Sequence, residues 1–301
     1  MQTKDGRVVS IDYPHLMKDD DMTQPKNGVA LVTGASSGIG LVTAKALANA
    51  GYRVFGTSRK PVASSQGVTM LICDVTDDAS VRALIEEIVK QAGQIDLVVN
   101  NAGIGLLGGA EESSIAQAQR LFDVNVFGVA RVVNAVLPVM RKQKSGRIVN
   151  MSSILGLIPS PYNAFYAATK HAVEGYTESL DHELRAFGIR AVLVEPGVTR
   201  TAFEENLTRA DQPLAAYAAE RERSENLMRK WVEAGDPPQV VADTVVKAAT
   251  ASKPKLRYAA GKQSGQVSLL RRFMPQGVVD SILRKVNEFP AQPERSAVTS
   301  A

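Results

Sequence analysis

Cysteine is nearly absent from this chain of 301 residues, which contains a single one, Cys73, in an apolar run. One thiol without a CxxC motif or a cysteine–histidine pairing can build neither a disulfide framework nor a zinc site. The three histidines, His15, His171 and His182, also lack the spacing of metal ligands. We therefore expect a cytoplasmic protein, in a reducing setting, that holds no metal.

Long apolar runs and blocks of one charge are missing as well. No stretch approaches the ~18 apolar residues of a membrane span, and residues 1–16 lack the apolar block of a secretory signal. The net charge is +4, but basic and acidic residues alternate along the chain, without the basic run that is typical of nucleic-acid binding. These absences predict a soluble protein that binds neither a membrane nor nucleic acid.

The chain does contain enough apolar material for one large core. Hydrophobic residues make up 45% of it, and α/β domains of ~250 residues bury a core of this kind. We expect one main domain over residues 28–260, including a helical segment at 202–235. The polar residues 1–27 predict a disordered extension, or alternatively an arm that packs on a partner subunit. Residues 261–301 form an amphipathic, basic tail that could pack against the body, a second subunit or a membrane surface.

Apolar runs and helical patterns alternate along the main domain. The apolar runs are short and continuous, as expected for strands buried on both faces of a parallel sheet. The alternation predicts an α/β fold with a doubly wound, Rossmann-type parallel sheet. The predicted strands are 28–33, 52–57, 68–73, 95–103 (running into a loop), 146–153, 189–197 and 256–259, and the predicted helices are 38–51, 77–93, 114–141, a helix around Tyr166 that ends at 186, and 240–251.

The turn after the first predicted strand is rich in glycine. Glycines allow the backbone to approach an anion closely, serine hydroxyls can donate to it, and the start of the following helix adds a positive dipole end. The GxxxGxG spacing differs from the GxGxxG fingerprint, and no lysine follows as in a P-loop. The pattern predicts a phosphate-binding turn, although it would also serve as a tight strand-to-helix turn. The candidate phosphate-binding residues are Gly34, Ser36, Ser37, Gly38, Ile39 and Gly40.

A serine, a tyrosine and a lysine define a second candidate site. Tyr166 and Lys170 are four residues apart and would share one face of a helix, while Ser153 lies thirteen residues before the tyrosine. A nearby cation favours phenolate and lowers the pKa of a tyrosine, which is ordinarily about 10. The spacing therefore predicts a proton-transfer device in which Ser153 holds a substrate oxygen.

Taken together, these motifs resemble the short-chain dehydrogenase/reductase family. The resemblance runs from about Gly28 to Thr201 and includes TGASSGIG, Asp74 after the third strand, the NNAG motif after the fourth, and the Ser153, Tyr166 and Lys170 set. It implies that Asn125 kinks the long helix and holds a water for proton relay. It also implies nicotinamide-dinucleotide binding, with Lys170 on the ribose, Thr199 near the carboxamide and Thr201 near the phosphates. The remaining cofactor residues implied are Tyr166, Asp74, Val75, Asn101, Ala102, Gly103, Pro196 and Gly197.

The resemblance implies a reaction as well. Hydride would pass between a nicotinamide and a carbonyl or carbinol carbon, with Tyr166 as acid or base and Ser153 bonded to the reacting oxygen. The segment at 202–235 would be a helical lid over the substrate, and the long helix with the Tyr166 helix would pair subunits into a homodimer or homotetramer. A dinucleotide-binding sensor without turnover stays an alternative, since fold alone does not imply function.

Two features predict which cofactor and which class of substrate the protein binds. The second strand ends in Ser58-Arg59-Lys60, where an acidic residue would favour NAD, so we expect Arg59 to bind the 2′-phosphate of NADP(H). Apolar residues surround the candidate site, which favours a hydrophobic ketone, aldehyde or secondary alcohol. This fits the branch of the family that contains hydroxysteroid and retinol dehydrogenases, which the sequence also resembles. A 3-oxoacyl thioester is the alternative substrate, bound by lid cations such as Arg223 and Arg229.

Overall fold

The computed structural model describes residues 28–64, 67–201, 203 and 207–287. The predicted extension at 1–27, the last part of the predicted tail and four residues of the predicted lid lie outside the described residues.

A seven-stranded parallel sheet forms the centre of the described molecule, in the order β3-β2-β1-β4-β6-β7-β9. Strands β2 and β3 lie on one side of β1. The next strand in the chain, β4, pairs with the other edge of β1. Ligands bind at such a switch point, outside the carboxyl ends of the strands. The predicted doubly wound, Rossmann-type sheet is confirmed. The strands of this sheet are β1 Val29–Val32, β2 Arg53–Ser58, β3 Val68–Ile72, β4 Leu97–Asn100, β6 Gly146–Met151, β7 Ile189–Pro196 and β9 Arg257–Ala260.

Helices cover both faces of this sheet. Residues of α2, α4 and α5 pack on one face of the sheet and form one buried hydrophobic cluster with it. Residues of α1 and α7 pack on the other face and form a second cluster. The central strands are apolar on both faces because both are covered, and all four residues of β1 are buried. The helices are α1 Gly38–Asn49, α2 Asp78–Ala92, α3 Ile115–Phe122, α4 Gly128–Gln143, α5 Ala164–Leu184, α6 Ala218–Glu233, α7 Pro238–Thr250, α8 Lys262–Phe273 and α9 Gln276–Val286.

The long helix predicted at 114–141 is interrupted. A π-helical segment, Asp123–Phe127, separates α3 from α4. The whole run, Ile115–Gln143, is long and apolar enough to cross a membrane by length and composition, which the sequence had not led us to expect. Its apolar residues Val132 and Val136 are fully buried in the core, and a third of the apolar window is buried in all.

Two further elements were not predicted. Strands β5, Leu106–Leu107, and β8, Thr208–Arg209, form a small parallel sheet of their own. This sheet joins the loop after β4 to the predicted lid. The amphipathic tail, predicted as one segment at 268–289, is two helices, and α9 begins directly after Pro275. Proline is favoured at a helix start and disfavoured in a helix interior, which explains the break.

Candidate active site

The glycine-rich turn between β1 and α1 lies at the switch point of the sheet. Gly34 has φ 65° and Gly38 has φ 54°, a backbone conformation that favours glycine. A Cβ atom at Gly34 would lie 2.9 Å from Cα of Ala102, so the two loops are in close contact. Ser36 and Ser37 are exposed beside the start of α1. The turn has the shape, donors and dipole that suit a phosphate.

Thr33 ties this turn to the loop after β4, a role that the sequence analysis missed. Its Oγ1 accepts from the backbone N–H groups of Asn101 and Ala102, both at 3.0 Å. In return, Nδ2 of Asn101 donates to the carbonyls of Thr33 (2.9 Å) and Gly34 (3.1 Å). Asn101 and Ala102, predicted as cofactor residues, therefore shape the phosphate turn. The position of Thr33 directly before the first glycine is the signal that could have revealed it.

Ser153, Tyr166 and Lys170 are brought together where β6 ends and α5 begins. Oγ of Ser153 accepts from the N–H of Leu155 at 3.1 Å, which fixes the serine at the start of a short 3-10 helix. Nζ of Lys170 donates to the carbonyl of Met151 at 2.9 Å and lies 5.6 Å from the centroid of the Tyr166 ring. The predicted sharing of one helix face by the tyrosine and the lysine is present.

The electrostatics of this pair differ from the sequence-based expectation. Burial raises the pKa of Tyr166 to about 12, while a hydrogen bond with Ser153 acts in the opposite direction. Burial lowers the pKa of Lys170 to about 8, and the neighbouring Glu174 opposes that change. The expected lowering of the tyrosine pKa was wrong, because desolvation by burial outweighs the hydrogen bond with Ser153. At neutral pH the phenol is protonated and can donate a proton.

Asn125 lies in the π-helical segment and is buried. Its Oδ1 accepts from the N–H of Ile104 at 2.9 Å, and its Nδ2 donates to the carbonyl of Ile104 at 2.9 Å and to Oγ1 of Thr169 at 3.2 Å. A Cβ atom at Gly103 would lie 3.3 Å from Oδ1 of Asn125. The asparagine thus links the loop after β4 to the helix that carries Tyr166 and Lys170.

Arg59 and Asp74 lie at the carboxyl ends of the second and third strands. Arg59 is exposed. Hydrogen bonds from Thr76 lower the pKa of Asp74, and the charges of Arg59 and Arg120 act in the same direction. Val75 is buried beside them. This end of the site therefore combines one ionised carboxylate with two guanidinium groups.

The loop after β7 faces the phosphate turn. Pro196 ends the strand, and the N–H of Gly197 donates to the carbonyl of Ala260 at 3.0 Å. Oγ1 of Thr199 donates to the carbonyl of Gly197 at 3.1 Å. A Cβ atom at Gly38 would lie 3.7 Å from Cβ of Thr201, which brings this loop to the start of α1.

Apolar residues of the predicted lid close over the Tyr166 side of the site. The rings of Phe203 and Tyr166 lie with their centroids 6.1 Å apart. Gly105 packs so closely against Phe203 and Leu207 that a Cβ atom there would collide with the Leu207 side chain. The N–H of Thr208 donates to the carbonyl of Gly105 at 3.0 Å, continuing the pairing of β5 with β8. The candidate site is covered by an apolar wall.

A family model described as short chain dehydrogenase matches residues 28–212. This chain belongs to the short-chain dehydrogenase family.

Other family members are similar over most of their length. The 3-ketodihydrosphingosine reductase of Bacteroides thetaiotaomicron is 39% identical over 235 residues, which cover 77% of this chain and 87% of the reductase. Retinol dehydrogenase 8 of Bos taurus is 37% identical over 276 residues, which cover 82% of this chain and 86% of that protein.

Solved structures of short-chain dehydrogenases share the fold. One from Streptomyces avermitilis has a TM-score of 0.72 and 32% identity, and the match covers 87% of this chain and 95% of that one. One from Burkholderia phymatum, in complex with NAD, has a TM-score of 0.73 and 26% identity, covering 86% and 96%. These matches agree with the parallel sheet described above.

In this family member the predicted lid is anchored by Glu112, a fully buried carboxylate that the sequence analysis missed. Its Oε1 accepts from the N–H of Leu214 at 2.8 Å and pairs with Arg221 of α6. Its Oε2 accepts from the N–H of Gly109 at 2.8 Å. Nothing in the local pattern distinguishes this glutamate from the exposed acids around it, because its partners Leu214 and Arg221 are about a hundred residues away.

Proposed function

We propose that this protein is an NADP(H)-dependent oxidoreductase acting on the carbonyl or carbinol carbon of an apolar ketone, aldehyde or secondary alcohol. One observation carries the proposal: the paired hydroxyls of Ser153 and Tyr166 lie beneath an apolar cover that includes Phe203. Two neighbouring hydroxyls suit an oxygen that gains or loses a proton. We further propose a cytoplasmic homo-oligomer.

The chain's own residues would handle the proton and the positioning. A bound nicotinamide would supply or accept the hydride. Because burial raises the pKa of Tyr166 to about 12, its phenol is protonated at neutral pH and suits donation to a carbonyl oxygen. Ser153 would hold that same oxygen, Lys170 would hold the ribose, and Asn125 would support the relay of protons toward Lys170.

The charges at the adenosine end support NADP(H) over NAD(H). Ser58 ends β2, and the exposed Arg59 follows it where NAD-binding members of this fold class carry an acidic residue. A guanidinium can bind a phosphate through two parallel hydrogen bonds. Arg120 lies near enough to affect the pKa of Asp74 and adds a second positive charge at this end. Together they favour a 2′-phosphate.

The lid supports an apolar substrate. Phe203 and Leu207 lie over Gly105 beside Tyr166, and burying an unpartnered charge against such a wall would be costly. The names of two relatives refer to a sphingoid ketone and to retinol, which are both largely apolar molecules. These similarities support a lipid-like ketone, aldehyde or alcohol for this chain.

The alternative, a 3-oxoacyl thioester, would use lid cations for the phosphates of its carrier. Two of these cations are already paired with carboxylates: Arg221 with Glu112, and Arg223 with Glu220. An ion-paired guanidinium must give up its partner before it binds a phosphate. The pairing therefore favours the apolar substrate.

A matched substrate series tests the proposal. Cofactor absorbance would be followed with NADPH and NADH against apolar ketones, aldehydes, retinoids and an acetoacetyl thioester, with Tyr166→Phe as the inactive control. We expect turnover of apolar carbonyls with NADPH. A strong preference for the thioester, lost when Arg223 and Arg229 are neutralised, would replace the apolar assignment. Tight cofactor binding without turnover of any compound would favour a sensor.

A further inference from the structure

A cluster of charged residues is buried next to Lys170, and the proposed reaction does not use it. Glu174 is 6% exposed and Glu195 is 1% exposed. Glu174 belongs to α5 and Glu195 to β7, and Arg257 of β9 lies between them. Buried carboxylates are rare unless they are paired, so this arrangement needs an explanation.

One guanidinium serves three carboxylates in this cluster. Nε of Arg257 lies 2.9 Å from Oε2 of Glu174 and 3.5 Å from Oε1 of Glu195. A second guanidinium nitrogen of Arg257 lies 3.1 Å from Oε2 of Glu178, which is half-exposed. If all of these acids were ionised, the negative charges would outnumber the positive one in a region of low dielectric.

A proton on one of the buried acids would relieve the excess charge. Neither carboxylate oxygen of Glu195 has a hydrogen-bond partner in the part of the chain that the structure describes. Burial raises the pKa of Glu195 to about 7, and Glu174 contributes to that rise. Burial also raises the pKa of Glu174, while Ser152, Arg257 and His171 lower it. The cations around Glu174 therefore favour its ionised form over that of Glu195.

Glu174 is also the nearest acid to Lys170 along α5. The two are four residues apart and share one helix face, and both are buried, with Lys170 8% exposed. A Cβ atom at Gly156 would lie 3.1 Å from Cγ of Glu174 and 3.2 Å from the carbonyl oxygen of Lys170, so this side of the helix is tightly packed. The charge of Glu174 acts to raise the pKa of the buried Lys170 ammonium.

We propose that Glu174 is a positioning residue for Lys170: its carboxylate, held by Arg257, keeps the buried ammonium charged at neutral pH. Lys170 otherwise donates to the carbonyl of Met151, which is a neutral acceptor. Glu174 supplies the negative charge, and Glu195 holds the surplus proton of the cluster. The inference rests on the proposed function only in treating Lys170 as a member of the reactive set.

Titration of Lys170 tests this directly. The protein would be labelled with ¹³C at the lysine Cε, and the Lys170 resonance assigned by its loss in Lys170→Arg. Glu174→Gln keeps the shape of the side chain but removes its charge, so the Lys170 midpoint should fall by about one pH unit. Glu178→Gln is the matched control, because Glu178 binds the same arginine but lies one turn farther from Lys170. The control should leave the midpoint unchanged.

A second variant controls for compensation by Glu195 and for misfolding of Glu174→Gln. In Glu174→Gln, Glu195 could ionise and replace the lost charge, so Glu174→Gln/Glu195→Gln would be titrated as well. It removes both buried acids and leaves Arg257 its exposed partner Glu178. A lower Lys170 midpoint in Glu174→Gln or in the double variant supports the proposal. A wild-type midpoint in both overturns it.

The titration needs neither substrate nor cofactor, so its result is separate from that of the substrate series. If no carbonyl compound is turned over by the wild type but the Lys170 midpoint falls in Glu174→Gln, the coupling stands and the proposed function fails. Where an active substrate is found, the alkaline limb of the pH profile of kcat/KM should also move to lower pH in Glu174→Gln and stay in place in Glu178→Gln. A merely structural role of Glu174 would lower activity without moving that limb.

Discussion

Phe203 lies against Tyr166, with 6.1 Å between the ring centroids and 52° between the ring planes. Phe203 is 42% exposed, so the face of its ring that does not meet the tyrosine is open to contact. A substrate whose oxygen reaches the phenol would therefore bring its apolar part against this ring. The pair connects the proposed acid to the predicted lid.

Replacement of Phe203 by alanine tests that connection. We expect kcat/KM for bulky apolar ketones to fall about fivefold or more, because an aromatic contact contributes about 1 kcal/mol beyond the area it buries. A small ketone that cannot reach the ring should be affected much less. Phe187→Ala is a suitable control, since Phe187 is similarly exposed in the 3-10 helix after α5. Equal losses for small and bulky ketones would argue against a contact with the substrate.

Tyr166→Phe removes one oxygen and keeps the ring. We expect turnover to fall ~10²-fold or more, because a positioned acid or base contributes 10²–10⁴ in typical enzymes. Cofactor affinity, measured by quenching of protein fluorescence, should stay near the wild-type value. Lys170→Ala should weaken both cofactor binding and turnover. Near-normal activity of the phenylalanine variant on any substrate would contradict the assignment of Tyr166 as the acid.

Arg59→Ala should reduce the preference for NADPH over NADH. The guanidinium is expected to pair with the 2′-phosphate, and its loss should weaken NADPH binding while leaving NADH binding nearly unchanged. Lys90→Ala provides a comparison, because Lys90 is an exposed cation on α2 that pairs only weakly with Glu87 at 3.8 Å. If the wild type binds NADPH and NADH with equal affinity, and Arg59→Ala changes neither affinity, the NADP(H) assignment is wrong.

Glu195→Gln should change how stability depends on pH. Burial raises the pKa of Glu195 from an ordinary value of 4.5 to about 7. A group whose pKa is raised by folding favours the folded state when protonated, so this stabilisation is present below pH ~4.5 and is lost as the pH rises through ~7. The loss amounts to about 3 kcal/mol for a group this deeply buried.

The measurement compares urea unfolding of wild type and Glu195→Gln between pH 4.5 and pH 8. The glutamine cannot ionise, so the variant should gain free energy of unfolding relative to the wild type as the pH rises. A difference between the two proteins that is constant across this range would show that Glu195 does not titrate there. Glu178→Gln, on the exposed side of the same arginine, should run parallel to the wild type.

The sequence predicted those parts of the fold and site that depend on neighbours in the chain. Alternating apolar runs identified the parallel sheet, and TGASSGIG identified the turn that lies at its switch point. The four-residue spacing of Tyr166 and Lys170 predicted their shared face, as the structure shows. Local patterns carry this information because helix and strand periods fix which side chains point together.

Contacts between distant segments were not predictable in the same way. Glu112, Glu174 and Glu195 look like ordinary acids in the sequence, yet all three are buried beside arginines that lie far along the chain. The helical pattern did not reveal the π-helical segment, because its residues fit a regular helix equally well, and only the family resemblance implied a kink at Asn125. The pKa of Tyr166 was misjudged for a related reason, since spacing reveals a nearby cation but not the extent of burial.

The pairing of β5 with β8 and the bonds of Glu112 join two parts of the chain into one cover. Residues 105–112 are bonded to residues 208–221 through backbone and side-chain contacts at several points. Access to Tyr166 that preserved these bonds would require both segments to swing together as a rigid flap. The loop that follows the NNAG motif would then move with the substrate cover, so entry of the substrate and the shape of the nicotinamide end of the site would be mechanically coupled.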